Sequence, residues 1–330
     1  MFEVYVDNRD GTVWDLSRII ASMKIKSGRV GKATIVDISF VKNSPFSDPT
    51  FRYGCGDIIR IRKDNLNIFY GFIFSVDEDE HDAVKITAYD QVRYLMNKDS
   101  MYTTNLTATQ MVQKIVQETQ LNAGTLADTK HVIPKIAEDN QSYIDMICKA
   151  LDTTMLAGKG LYVFYDDFGS LTLRPLAEMA LDIVIGEKSL MYSYKDKRSI
   201  DNDTYNQIKL YQDNKEKGVR EDHVLKDSAS IAKWGVLQLY QSVDEKMNAA
   251  QIKEMQDKLM QLKNREKRSL KVDALGDIRI RAGHVIWLAF ESKGIKQQYV
   301  VNECTHTFDG DKHTMSLDLV VYGTYRGGAG

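Results

Sequence analysis

Gly56-Asp57-Ile58-Ile59-Arg60-Ile61 opens a strand, and Gly283-His284-Val285-Ile286 opens another in the same manner. After the first, Tyr70 stands 14 positions beyond Gly56 and Ala88 another 18 beyond Tyr70. After the second, Tyr299 stands 16 positions beyond Gly283 and Leu317 another 18 beyond Tyr299. Each stretch runs as a glycine turn, an apolar strand, an aromatic-bearing strand, a polar turn and an alternating strand. The polar turns are Asp77-Glu78-Asp79-Glu80-His81-Asp82 and Asp309-Gly310-Asp311. A slip of one residue in a strand turns its core side chains to solvent, so matched alternation argues for matched pairing. The spacing predicts two related β modules in one chain. An unrelated pair of β meanders also gives this pattern at sequence level.

Working outward, residues 1–100 carry strand signals throughout. Thr34-Ile35-Val36-Asp37-Ile38-Ser39-Phe40, Ile68-Phe69-Tyr70-Gly71-Phe72-Ile73-Phe74 and Val84-Lys85-Ile86-Thr87-Ala88-Tyr89 are β-branched or aromatic runs divided by Gly, Asp and Asn. Such short strands predict a small barrel or sandwich. The period then changes. Thr107-Ala108-Thr109-Gln110 fits a capping box, and Met111, Val112, Ile115 and Val116 follow at helical spacing, with Gly124 as a stop. A second helix is predicted over residues 142–157, with Tyr143, Ile144, Ile147, Cys148 and Leu151 on its apolar face and Gly158-Lys159-Gly160 ending it. Two strand runs around Asp166-Asp167-Phe168-Gly169 predict a hairpin. The last third returns to strands with one long helix over residues 243–268, capped near Ser242-Val243-Asp244-Glu245. Its single seam is Ile252, Met255, Leu259 and Leu262, and Glu254 with Lys258 forms an i,i+4 pair.

The expected fold class is α+β, mainly β. Two barrel-like domains, 1–100 and 189–330, flank a small α+β domain at 101–188. A length of 330 residues agrees with two or three domains. The net charge of −2 lacks the basic excess that phosphate contacts require, so specific nucleic-acid binding is not expected. Cys55, Cys148 and Cys304 are odd in number and widely spaced, which predicts reduced, buried thiols. Met1-Phe2-Glu3-Val4-Tyr5-Val6-Asp7 has no signal-peptide character, and no stretch of 18 apolar residues occurs, so membrane insertion is not expected. The terminal Gly327-Gly328-Ala329-Gly330 is expected to be mobile.

Motifs for catalysis are missing: no GxxxxGK[ST], no HExxH, no GxSxG. The run Asp77-Glu78-Asp79-Glu80-His81-Asp82 lacks the glycine of a calcium loop and suits a solvated turn, and Asp201-Asn202-Asp203 departs from that loop pattern after its third position. Cys304, His306 and His313 are three nearby zinc-type ligands, short of the four a closed site takes, and strand alternation alone accounts for Cys304, His306 and Phe308. Lys263, Arg265, Lys267, Arg268 and Lys271 form a basic end to the long helix, where the dipole favours cations; an electropositive docking patch is the alternative. No residue is therefore assigned a catalytic, cofactor-binding or metal-ligating role.

The order of these parts resembles the baseplate hub proteins of contractile phage tails and phage-tail-like particles, of the PBSX-type prophage hub and late control protein D-like family. The resemblance is carried by Gly56-Asp57-Ile58-Ile59-Arg60-Ile61, Phe69-Tyr70-Gly71, Ile86-Thr87-Ala88-Tyr89-Asp90, Asp167-Phe168-Gly169-Ser170-Leu171-Thr172-Leu173, Arg281-Ala282-Gly283-His284-Val285-Ile286, Tyr299-Val300-Val301, His306 and Met315-Ser316-Leu317-Asp318-Leu319. It implies a homotrimer in which two tube-like modules per chain give a ring of six. That ring joins a six-fold tail tube protein to a three-fold central spike protein, within reach of baseplate wedge proteins. It also implies synthesis in the bacterial cytoplasm, with no cofactor and no enzyme activity. Two rival readings stand beside this one. One is a cell-wall glycan hydrolase using Asp77, Glu78 or Asp166, which needs paired carboxyls ~5 Å apart if retaining. The other is a carbohydrate-binding module using Trp14, Trp234 or Trp287, although Trp287 lies in an apolar strand and is expected in the core.

Overall fold

The structure, a computed structural model, describes residues 2–46, 48–214 and 219–322. Gly327-Gly328-Ala329-Gly330 lie outside the described residues. The chain divides into two compact units, Met1–Lys195 with Leu270–Gly330, and Asp196–Ser269. No helix among the described residues is long and apolar enough to cross a membrane.

In the larger unit, the first β module orders its strands as Phe2–Asp7, Ile58–Lys63, Leu66–Glu78, Ala83–Tyr89, Ile35–Val41 and Ile20–Gly28, each bonded to the next. The second orders Ala180–Gly186, Val285–Phe290, Ile295–Asp309, Lys312–Val321, Lys267–Leu275 and Met191–Ser199. The two orders correspond strand for strand, as the repeat in the sequence predicts.

The correspondence reaches single hydrogen bonds. Gly56 and Gly283 both hold φ at +94°. Gly56 N–H donates to the Ile73 carbonyl at 2.8 Å and Ile73 N–H to the Asp57 carbonyl at 2.9 Å. In the second module, Gly283 N–H donates to Val301 at 2.8 Å and Val301 N–H to His284 at 2.9 Å. A β-bulge follows at once in both: pairing skips Phe74 between Ile73 and Ser75, and Asn302 between Val301 and Glu303. Ile73 therefore answers to Val301, and Ala88, its partner, to Leu319. This corrects the match of Tyr70 with Tyr299 and of Ala88 with Leu317. The turn joining Val285–Phe290 to Ile295–Asp309 is longer than the one joining Ile58–Lys63 to Leu66–Glu78, so equal spacing in sequence is displaced in space. Tyr299 is buried, whereas Tyr70 sits on the opposite, half-exposed face of its strand.

The modules differ at their first strand. Phe2–Asp7 runs antiparallel to its neighbour, whereas Ala180–Gly186 runs parallel to Val285–Phe290. The sheet also stays open: the described strands close no barrel, so the barrel-like expectation is corrected to an open sheet. That sheet is continuous across both modules, because residues 22–28 pair antiparallel with 303–309, setting Ile25 opposite His306 and Lys26 opposite Thr305. Each module keeps its own core, with Val36, Ile38, Ile59, Ile61 and Ile86 in the first and Val272, Ile286, Leu288, Leu317 and Leu319 in the second.

A left-handed glycine turn starts the matched bonding in each module, which gives a paired test. Alanine at φ +94° is strained by about 1–2 kcal/mol. A Cβ on Gly56 meets nothing within 4 Å, whereas one on Gly283 lies 2.8 Å from Val163 Cγ1. Gly56→Ala is expected to cost about 1 kcal/mol in urea unfolding, and Gly283→Ala roughly twice that. Equal costs would show that the Val163 contact is irrelevant.

The region between the modules packs two helices on strands. α1 (Ala108–Thr119) starts at the predicted box: Thr107 Oγ1 accepts from Gln110 N–H at 3.2 Å and Gln110 Oε1 accepts from Thr107 N–H at 2.9 Å. It stops at Gln120, whose φ is +55°, rather than at Gly124, which lies in strand Ala123–Leu126. α2 (Tyr143–Leu156) is capped by Ser142 and buries Tyr143, Ile144 and Ile147, with Cys148 and Leu151 partly covered. The hairpin Tyr162–Asp166/Leu171–Pro175 turns through Phe168 and Gly169, both with positive φ, as the twist of a two-residue loop demands.

In the smaller unit, strand Gln207–Asn214 pairs with Val219–Lys226 and Gln238–Ser242. α3 (Ser228–Trp234) and α4 (Ala249–Lys263) complete it. The seam of α4 is confirmed in part: Ile252 and Leu259 pack on Ile208 and Leu210, with Met255 partly buried. Its start is corrected. Asn248 and Gln251 supply both halves of a capping box, while Ser242 ends the paired strand Gln238–Ser242, so helix cannot begin there. Glu254 and Lys258 do pair, at 2.8 Å.

Candidate functional site

Where the first module, the hairpin and the second module meet, the larger unit encloses a cavity of about 310 Å³ whose lining includes Tyr70, Asp90, Asp166, Arg279, Arg281 and His284. Asp90 ends the last strand run of the first module. One of its oxygens accepts from Thr34 N–H at 2.8 Å, the other from Val92 N–H at 3.0 Å, capping the short 3-10 turn Gln91–Met96. Asp166 ends the first hairpin strand and accepts from Gly169 N–H at 2.6 Å and from Gln91 Nε2 at 3.0 Å. Gln91 Oε1 in turn accepts from Asn122 N–H at 3.0 Å. Arg281 reaches in from the second module. It donates twice to the Asp166 carbonyl, at 3.2 Å each, and its guanidinium lies 4.2 Å from the Tyr165 ring centroid.

Burial, and then the charge of Asp166, pushes the Asp90 carboxyl up to about 7; the Arg281 charge opposes that rise. Burial also raises Asp166, against its bonds to Gly169 and Gln91 and against Arg281. His284 is pushed down to about 4, first by burial and then by Arg281, so its ring is neutral, and Nδ1 accepts from Arg281 N–H at 3.3 Å. Every oxygen of the two carboxyls is engaged by protein. This arrangement ties three parts of the chain together.

The residues weighed from sequence are not brought together. Asp77 and Glu78 lie in strand Leu66–Glu78 rather than in a turn. Glu78 is held by Lys42 at 3.0 Å and by the Tyr53 hydroxyl at 2.8 Å. Asp79 closes the turn by accepting from His81 and Ala83 N–H, both at 2.9 Å. Asp166 is buried at the junction, so the three acids form no pair across a groove. His306 Nε2–H donates to the Ile280 carbonyl at 2.7 Å, which leaves Nδ1 to accept from His313 Nε2–H at 3.0 Å. Burial lowers both histidines, His313 to about 4, and raises the Cys304 thiol to about 12. Zinc binding asks for a thiolate and free imidazole lone pairs. Among the described residues, no group of three or more His, Cys, Asp or Glu side chains is placed to hold a metal ion.

The basic run is met by acids of its own unit. Lys263 and Lys267 share Asp203 at 2.6 and 2.9 Å, and Arg268 makes a two-pronged pair with Asp196. Asp203 is thereby occupied by lysines. Trp14 stands edge-on to Phe51 with its N–H donated to Asn8, and Trp234 is half-buried beside Lys233. Trp287 is corrected: it is 39% exposed, between buried Ile286 and Leu288, beside exposed Val184 on the paired strand. Strand alternation sends it outward. No tryptophan lines the cavity. Cys55 is also corrected, being exposed, while Cys148 is partly and Cys304 fully buried.

Sequence reasoning quoted Asp90, Arg281 and His284 without giving them a role, and passed over Gln91. The available signal was a charged or polar residue placed where an apolar strand ends. Nor did it find the open edges of the large sheet. Among the described residues, strand Met191–Ser199 is bonded on one side only, and residues 75–78 pair only with the strand Ala83–Tyr89.

Three comparisons bear on this geometry. The phage-like element PBSX protein XkdQ of Bacillus subtilis (strain 168) is 30% identical over 268 residues, covering 80% of this chain and 81% of that protein. The 43 kDa tail protein of prophage MuSo2 from Shewanella oneidensis shares the fold, with a TM-score of 0.72 at 11% identity over 98% of this chain and 99% of that one. An E. coli component of the type VI secretion system, itself structurally similar to bacteriophage T4 tail proteins gp27 and gp5, aligns with a TM-score of 0.59 at 10% identity over 100% of this chain and 79% of that one. The family model described as YQBQ-like matches residues 23–320, so this chain, with the fold of phage tail proteins, belongs to the YQBQ-like family.

Proposed function

We propose that the chain is a structural baseplate hub of a contractile tail or tail-like particle, a homotrimer that joins the six-fold tail tube to the three-fold central spike. The observation that carries this reading is the internal repeat. One polypeptide presents the same six-strand arrangement twice, down to the glycine turn and the bulge, and fuses the two through one continuous sheet. Three such chains offer six near-equivalent faces with true three-fold symmetry, which a symmetry adaptor requires. Tail tube, spike and wedge proteins are the partners of this role, and the particle's baseplate is its location. The kinship with a PBSX protein and the likeness to a secretion component similar to T4 tail proteins support it. Sedimentation equilibrium is expected to give three times 37.6 kDa. A strict monomer that degrades peptidoglycan overturns the reading.

A further inference from the structure

The seam inside the chain is a template. It pairs residues 22–28 of the first module with 303–309 of the second. Under the repeat, each of these segments has a counterpart in the other module, and both counterparts are open edges. Residues 303–306 correspond to 75–78, the far end of Leu66–Glu78, because Asn302 and Phe74 are the matched bulges. That places Ser75 where Glu303 stands and Asp77 where Thr305 stands. Strand Ile20–Gly28 corresponds to Met191–Ser199, since each is the last strand of its module's order.

The register of that second correspondence follows from two contacts and the matching irregularity in the first module. Leu275 N–H donates to the Leu190 carbonyl at 2.8 Å, which puts Met191 opposite Ala274. Tyr194 packs on the core ring of Phe290 at 4.7 Å, so it faces the same side as Met191 although three residues away. One extra residue must lie between them, just as Ala21 is extra between Ile20 and Ser22. Met191 then corresponds to Ile20, Tyr194 to buried Met23, Lys195 to Lys24 and Lys197 to Lys26. The lysines recur at the same two positions of the edge.

We propose that strand Met191–Ser199 of one copy pairs antiparallel with residues 75–78 of a second copy, in the register of the internal seam, with Lys197 opposite Asp77. This rests on the trimer reading and names its interface. Charge favours it: an edge carrying exposed Lys195 and Lys197 meets one carrying exposed Asp77, with the acidic turn of Asp79 and Glu80 just beyond it. The contact is head-to-tail, because the two edges are different surfaces, and three internal and three intermolecular seams close one ring. It also accounts for how an exposed edge bearing Tyr192, 61% exposed, and Tyr194, 40% exposed, is covered.

The test places Asp77→Cys and Lys197→Cys together in a Cys55→Ser background, at exposed positions of the full-length protein. Mild oxidation is expected to give a covalent species of three chains on non-reducing gels, because directly opposed strand positions bring Cβ atoms within disulfide reach. Each single variant alone is expected to stay uncrosslinked. A second readout needs no disulfide: Asp77→Lys is expected to raise the trimer dissociation constant about tenfold, and Asp77→Lys with Lys197→Asp to restore it. Trimers that neither crosslink nor respond to the charge swap overturn this pairing while leaving the trimer reading intact. A wild-type protein that is monomeric at about 100 µM, roughly 10² to 10⁵ above a micromolar-to-nanomolar assembly affinity, removes both.

Discussion

Arg281→Met is expected to destabilise the protein by about 3 kcal/mol at pH 8 and by only about 1 kcal/mol at pH 4.5, measured by urea unfolding at each pH. The difference comes from two buried carboxyls. Asp90 is 2% and Asp166 5% exposed; the Thr34 hydrogen bonds oppose the rise of Asp90, those of Gly169 and Gln91 oppose the rise of Asp166, and the Arg281 charge opposes both. Methionine keeps the length and most of the packing of the arginine stem on Tyr165 but removes the charge and both donors to the Asp166 carbonyl. The sign follows from the direction of the shift. A carboxyl whose pKa is raised on folding to about 7, above its ordinary 3.8, is favoured neutral. Its contribution is whole below about pH 4 and is lost as pH rises through 7. Removing Arg281 raises the folded values further, so for Asp90 the added penalty appears only above about pH 7, where the wild-type folded carboxyl ionises and that of the variant does not. At pH 4.5 what remains is mostly the lost ring contact and hydrogen bonds. Equal losses at the two pH values would mean that Arg281 acts through packing alone.

That junction marks the limit of what a single sequence discloses here. Turns and caps were legible because their chemistry is local: Thr107 with Gln110, Ser142 before α2, and Phe168-Gly169 in the hairpin each settle their geometry within four residues. The repeat was legible through alternation and two glycines. Its register was not, because Tyr70 and Tyr299 look alike in sequence while facing opposite sides of their strands, and a bulge leaves no residue signature. The start of α4 was missed because two capping sequences compete, and a strand partner decided between them. Asp90, Asp166 and Arg281 are 76 to 191 positions apart in the chain, so only the folded sheet shows that they share one buried site. Trp287 misled for a related reason. In a run of Val285-Ile286-Trp287-Leu288 hydrophobicity alone does not tell which face is outward, and an exposed Trp beside Val184 follows from the parallel pairing with Ala180–Gly186.

Phe290→Ala is expected to cost about 3–5 kcal/mol, the range for emptying a fully enclosed aromatic site. Phe290 is 1% exposed and packs among Ile183, Leu288 and Tyr299 in the core of the second module. The change has a second consequence at the sheet edge. Tyr194 sits on Phe290 with its ring at 78° to it, and among the described residues strand Met191–Ser199 has a bonded neighbour on one side only. The ring contact is worth about 0.5–1.5 kcal/mol beyond its area. It pins an edge that otherwise rests on one ladder. Phe290→Leu, which retains most of the volume, is expected to cost about 1–1.5 kcal/mol globally yet to release the Tyr194 contact. Hydrogen exchange should then quicken at residues 191–195 while staying slow in the strand Lys312–Val321 at the centre of the same module. If the edge is an assembly strand, that loosening must also weaken trimerisation, because ordering the strand becomes part of the cost of association. A leucine variant with faster exchange at the edge and undiminished trimer affinity would show that Met191–Ser199 takes no part in the interface. A variant with unchanged exchange would show that Phe290 does not hold it.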